Sequence, residues 1–167
     1  MSTRANHILQ RLFVRELRSF SDEISLFPDD PSIWRTLPGV TNSAATLGFH
    51  VCGNLQHYVG HVLGGTDYVR DRPREFSRRD GTRADLVREF QTTIDVVTRV
   101  MPDITEEMMA RPYPEQIAGT TITTDVFLFH LSAHLAHHLG QAGYLRRIAL
   151  NDSKSAGPIP VPPLGSV

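Results

Sequence analysis

The chain has 167 residues, enough for one domain whose core needs no covalent staples. A formal net charge of −1 argues against a whole-surface attraction to nucleic acid or anionic lipid. Cys52 is the only cysteine, so no intramolecular disulfide can form, and a reducing cytoplasm is the expected compartment.

The opening stretch MSTRANHILQRLFVRELRSF alternates charge with apolar residues and has no apolar leader core. No run reaches the roughly 18 apolar residues of a membrane span. Hydrophobic spacing predicts four helices and no strand. The first covers about residues 5 to 25, with Leu9, Leu12, Phe13, Phe20 and Ile24 in register. FPDDPSIWRTLPGV then ends it with prolines. The second starts after TNS, where Asn42 or Ser43 can cap it, and stops at Gly64-Gly65. The third opens at Thr82 with Asp85 as its capping pair and runs to about Met101. The fourth runs from about Thr123 or Thr124 to about Leu150.

About seventeen residues separate the second and third helices, too many for a tight hairpin and enough to cross the end of a bundle. The expected fold is therefore all-α: a four-helix bundle over residues 1–150 with a long crossover between helices 2 and 3. Residues 151–167 form a Pro/Gly-rich tail, expected to lie along the bundle or to reach a second subunit.

HLSAHLAHHLGQ, residues 130–141, sets four of the eight histidines on one helix. At about 100° per residue, His134 and His138 turn inward while His130 and His137 lie at the edge. An i, i+4 pair stacks two imidazoles on one face, the arrangement that helical metal sites use; ordinary packing or hydrogen bonding is the competing reading. A third ligand must come from another helix, and the second offers His50, His57 and His61 in one stripe. The wheel does not choose among these three. Asn54 and Gln141 lie four and three residues from a candidate ligand and suit either fixing an imidazole tautomer or packing between helices, and His137 is placed to contact a ligand or a supporting group. Cys52 is two residues from His50 and points roughly 200° away from it, which makes it a core thiol. Six arginines of the crossover (Arg70, Arg72, Arg74, Arg78, Arg79, Arg83) can hold substrate carboxylates or be tied by their own ion pairs. Neither histidine stripe contains a carboxylate, so no general base is legible.

GFHVCGNLQHYVGHVLGG, DYVRDRPREF and HLSAHLAHHLGQAGYLRR together resemble the DinB-like superfamily of metal-binding four-helix bundles. The resemblance spans about residues 5 to 150 and implies an up-down-down-up bundle, usually dimeric. It also implies one metal-binding histidine on helix 2, matching His50, and an HxxxH pair on helix 4, matching His134 and His138 before Gly140-Gln141. Leu139 stands where a common form of that motif has arginine. Three histidines suit Zn²⁺ or Ni²⁺ and leave coordination positions open for water or substrate. Characterised relatives include transferases that use a low-molecular-weight thiol, so the expectation is a metal-dependent, thiol-dependent transferase acting on a small molecule. The alternatives are a non-catalytic metal-binding or structural bundle and a metal-dependent hydrolase.

Overall fold

The computed structural model describes residues 4–157 together with Val161 and Leu164. Of the tail expected to pack along the bundle or against a second subunit, residues 158–160, 162–163 and 165–167 lie outside that set.

Four long helices build the molecule. Helix α1 is Arg4–Ser25. Helix α2, Ala44–Leu55, continues without a break as a π-helical segment, Gln56–Leu63. A short α3, Arg72–Ser77, lies within the crossover, and α4 is Arg83–Val100. A second short helix, α5 (Glu106–Ala110), precedes α6, Thr124–Leu150. Apolar spacing marks α1, α2, α4 and α6, whereas α3 and α5 carry no such period. Both short helices have their own starts: Asp71 accepts from the Arg74 backbone N–H, and Thr105 from that of Met108.

The capping chemistry read from the sequence is present. Ser43 accepts from the Thr46 N–H, and Thr82 and Asp85 form a reciprocal capping box at the start of α4. At the same end of the bundle, Asn151 stops α6 in the left-handed conformation that asparagine tolerates (φ 49°).

Side-chain pairs fix the helix directions. Phe20 of α1 meets Phe90 of α4 with ring centroids 5.0 Å apart, whereas Gln10 reaches the Thr98 carbonyl, so these helices are antiparallel. Gly48 of α2 faces Leu86 and Phe90 and Gly60 faces Val96, so α2 and α4 are parallel. Glu23 near the end of α1 pairs with Arg146 near the end of α6, and Tyr58 near the end of α2 packs on Phe127 near the start of α6. The result is up, down, down, up, with α2 and α6 adjacent and antiparallel. That adjacency is what a two-helix histidine site needs.

The core is one cluster in which Leu9, Phe13, Leu17 and Phe20 of α1 interleave with Leu86, Phe90 and Val97 of α4 and with Phe127, Leu131 and Leu135 of α6. Burial of each such side chain contributes about 1.5–3 kcal/mol. Arg146 is fully buried inside this frame; its guanidinium donates to Glu23 at 2.7 Å and lies 3.5 Å from Asp152. The Ala156 N–H donates to Glu23 at 3.2 Å, which ties the first residues of the tail to α1. No helix is long and apolar enough to cross a membrane among the described residues.

Candidate metal centre

Helix pitch places His134 and His138 on consecutive turns of α6, facing α2, where His50 occupies the middle of a wholly buried helix. Their Nε2 atoms converge. His50 Nε2 is 3.3 Å from His134 Nε2, and His138 Nε2 is 3.1 Å from it. The His50 and His138 ring centroids are 5.3 Å apart. The ligand atoms of the three all lie within 4.8 Å of one another. Two bonds of about 2.0–2.1 Å at a tetrahedral angle hold their nitrogens about 3.4 Å apart, so the spacing suits one small divalent cation.

The outer ring nitrogens decide where the protons sit. Glu75 of α3 approaches His50 Nδ1 at 2.9 Å, and Gln141 Oε1 approaches His138 Nδ1 at 2.7 Å. Burial alone would raise the Glu75 carboxyl, but hydrogen bonds from His50 and Arg70 hold it below the usual carboxylate range. An ionised carboxylate and an amide oxygen can only accept, so both histidines carry their proton on Nδ1 and turn a lone pair inward from Nε2. His134 can offer a proton to one of these lone pairs and not to both. Burial, with the neighbouring histidines, depresses His134 to about 3, and burial also lowers His138. Burial thus holds His134 and His138 in the neutral form, and the three Nε2 atoms converge in a set that a metal cation can satisfy.

Glu75 is not a free base. Arg70 grips it with Nε to Oε1 at 2.7 Å and Nη2 to Oε2 at 2.9 Å, a bidentate pair, and Phe76 of the same short helix packs on the His50 ring at 4.8 Å. Its approach depends on Gly53 of α2. A Cβ there would lie 2.3 Å from Glu75 Oε1 and 3.1 Å from the Tyr68 hydroxyl. Burial pushes that hydroxyl up to about 12, so Tyr68 keeps its proton.

The remaining sequence candidates lie around this centre. His137 is exposed, with its ring 5.2 Å from that of His138. Gln141 holds His138, whereas Asn54 is buried on α2 and the Nδ1 of His50 is met by Glu75 instead. His57 pairs with Glu115 at 3.2 Å, His61 approaches the Thr66 carbonyl, and His130 stacks at 6.0 Å on His134. Cys52 is buried, and burial pushes its thiol up, away from the reactive thiolate. Among the described residues the convergent cluster has three members, so no fourth protein ligand closes it.

The crossover arginines are engaged largely with their own surroundings. Arg78 lies 3.3 Å from Asp80 and over the Phe49 ring, Arg83 pairs with Asp30, and Arg72 covers Phe76. Arg70 is tied by an ion pair of its own, one of the two readings its sequence position allows, while the placement of Glu75 on His50 is not legible in the sequence. Two cavities flank α6. The larger, about 740 Å³, lies against α1 with Arg11, Arg18 and Arg147 in its wall, away from the histidines. The smaller, about 400 Å³, is lined by Leu37, Val40, Leu47, Tyr144 and Ile148 and reaches Gln141.

A family model described as the DinB superfamily matches residues 12–142 of the chain. No curated protein matches it.

Proposed function

The chain belongs to the DinB superfamily, and from that premise we propose that it is a metal-dependent transferase. In this reading His50, His134 and His138 hold one divalent ion, Zn²⁺ or Ni²⁺, and the protein transfers a group to or from a low-molecular-weight thiol. The observation that carries the proposal is the inward convergence of three imidazoles, two of them with the opposite nitrogen held by Glu75 and Gln141. A purely structural metal is normally closed by four protein ligands; a three-ligand set leaves room for a reacting molecule.

When bound, the metal supplies Lewis acidity that brings a coordinated water or thiol toward ionisation near neutral pH. Every other contribution comes from the chain. Burial keeps His134 in its neutral, ligating form at physiological pH. The Arg70–Glu75 pair fixes the tautomer and plane of His50, and the Gln141 amide does the same for His138. Exposed His137 and His130 stand on the outer edge of the cluster, where a small molecule would meet a polar rim.

The test is a screen of the metal-loaded protein against low-molecular-weight thiols paired with electrophilic acceptors, following loss of free thiol. The expected result is thiol consumption that needs the metal and disappears in His134→Ala. Stoichiometric metal without consumption of any thiol would favour the non-catalytic bundle.

A further inference from the structure

The larger cavity, about 740 Å³, is of the size that small-molecule sites have, and it lies apart from the histidines. At about 100° per residue, its α6 wall, from Leu139 to Arg147, centres roughly 170° away from His134 and His138. The metal centre does not use it.

Its charge is one-sided. Arg11, Arg15 and Arg18 follow one another at steps of four and three residues on α1, so three guanidiniums share one face along the cavity. Arg147 joins them from α6. Such a row repels itself unless acids or an anion face it. The nearby acids are largely committed elsewhere. Glu16 takes Arg15 (Nε to Oε1, 3.2 Å), while Glu23 takes the buried Arg146 and the Ala156 N–H. Among the described residues Arg11, Arg18, Arg147 and Asp22 have no ion-pair partner. Three arginines against one carboxylate leave an excess of two positive charges, in a chain whose net charge is −1.

Arg147 is held ready for a ligand. Its Nε donates to the Gly143 carbonyl at 3.0 Å, and its guanidinium lies 4.6 Å from the Tyr144 ring centre. Both terminal nitrogens are left for an acceptor. The α6 floor beside it is bare. Gly140 and Gly143 put no side chain there, and a Cβ at Gly140 meets nothing within 4 Å. Val14 and Leu139 give the lining an apolar part.

We propose that this cavity binds a small dianion with an apolar body. Arg11, Arg18 and Arg147 hold its phosphate or paired carboxylates, and its body lies over Gly140 against Val14 and Leu139. Two negative charges match the local excess, and the guanidinium fork pairs bidentately with either group. A bound dianion also relieves the repulsion along the α1 row. No histidine lines the cavity, so the inference does not depend on the metal reading.

Isothermal titration of the full chain with naphthyl phosphate and with naphthalene dicarboxylate tests this. One probe molecule per chain is expected, and binding is expected to persist in His134→Ala. Arg18→Gln, which breaks no ion pair among the described residues, and Arg147→Gln are each expected to weaken binding about tenfold, the loss of one charge-assisted contact. Gly140→Leu fills the open floor and is expected to abolish binding without lowering the melting temperature. Preference for the phosphate ester or for the dicarboxylate identifies the anionic group, and either supports the proposal. Failure to bind either probe at millimolar concentration overturns it, as does full affinity in Gly140→Leu. Inorganic phosphate that binds as tightly as its naphthyl ester removes the apolar body and overturns it too. Binding lost in His134→Ala assigns the anion to the histidine centre, against the proposal.

Discussion

The Glu75 carboxylate and the His50 imidazole meet at 2.9 Å across twenty-five residues of chain, and Arg70 closes the other side of the same carboxylate. An ionised acceptor at Nδ1 makes Nε2 a better donor of its lone pair and stops the ring from turning. Glu75→Gln is therefore expected to weaken metal binding about 10- to 100-fold without unfolding the bundle. Competition with a chromogenic chelator measures this. Unchanged affinity would mean that Glu75 only anchors the crossover.

Gly53 gives an independent test of the same contact. A methyl group there meets the Glu75 carboxylate at 2.3 Å, far inside van der Waals distance, so α3 must shift outward. Gly53→Ala is expected to cost about 1–3 kcal/mol in urea denaturation and to lower metal affinity in the same direction as Glu75→Gln. A stabilised protein with full metal affinity would show that α3 moves without carrying Glu75 away.

His130 and His134 lie one turn apart on α6 and should behave differently. His134→Ala removes a converging nitrogen and is expected to reduce metal affinity by more than the 10- to 100-fold expected for a supporting residue. His130 stacks on His134 without joining the cluster, so His130→Ala should leave affinity nearly unchanged. Isothermal titration of both variants separates these outcomes, and equal losses would move the site outward along the helix.

The pH dependence of the metal-free protein has a definite sign. The unfolded chain protonates His134 near 6.5, whereas burial and the adjacent imidazoles delay this in the fold to about 3. Between those values the unfolded state binds the extra proton, so stability is full above about pH 6.5 and falls as the pH drops toward 3. His138 is shifted in the same direction. Denaturation midpoints of metal-free protein at pH 7.5 and 5 should show the loss, and His134→Asn should flatten it. A midpoint that rises on acidification would contradict the neutral-imidazole centre.

The α1–α6 contact is independent of the metal. Glu23 and Arg146 share a 2.7 Å contact with the guanidinium fully buried, and breaking one partner of such a pair strands a charge. Glu23→Ala is expected to destabilise the fold by about 3–5 kcal/mol. It should also free the first residues of the tail, since Ala156 donates to the same carboxylate. Thermal melts and limited proteolysis after Leu150 report both effects.

Much of this arrangement is written locally in the chain. The three- and four-residue apolar steps, the Thr82–Asp85 box and the His134/His138 repeat are all signals within one or two helical turns, and each appears in the structure where its spacing places it. The residues that were not legible depend on distant packing. Glu75 reads as one acid in an arginine-dense crossover, and only the docking of α3 on Gly53 turns it toward His50. The helices α3 and α5 are too short to show a hydrophobic period, and the π-helical continuation of α2 through Gln56–Leu63 has no periodic signature that separates it from an ordinary helix. The choice of His50 over His57 and His61 came from the family motif, because the wheel sets all three on one stripe.

The central claim is that three histidines hold one metal, and the most direct measurement is elemental analysis joined to X-ray absorption on purified protein. One divalent metal per chain is expected, bound by three imidazole nitrogens at about 2.0–2.1 Å with no sulfur, and lost in the His134→Ala variant. A protein that takes up no divalent metal when supplied with it, or that keeps the same metal and spectrum in His134→Ala, would contradict it.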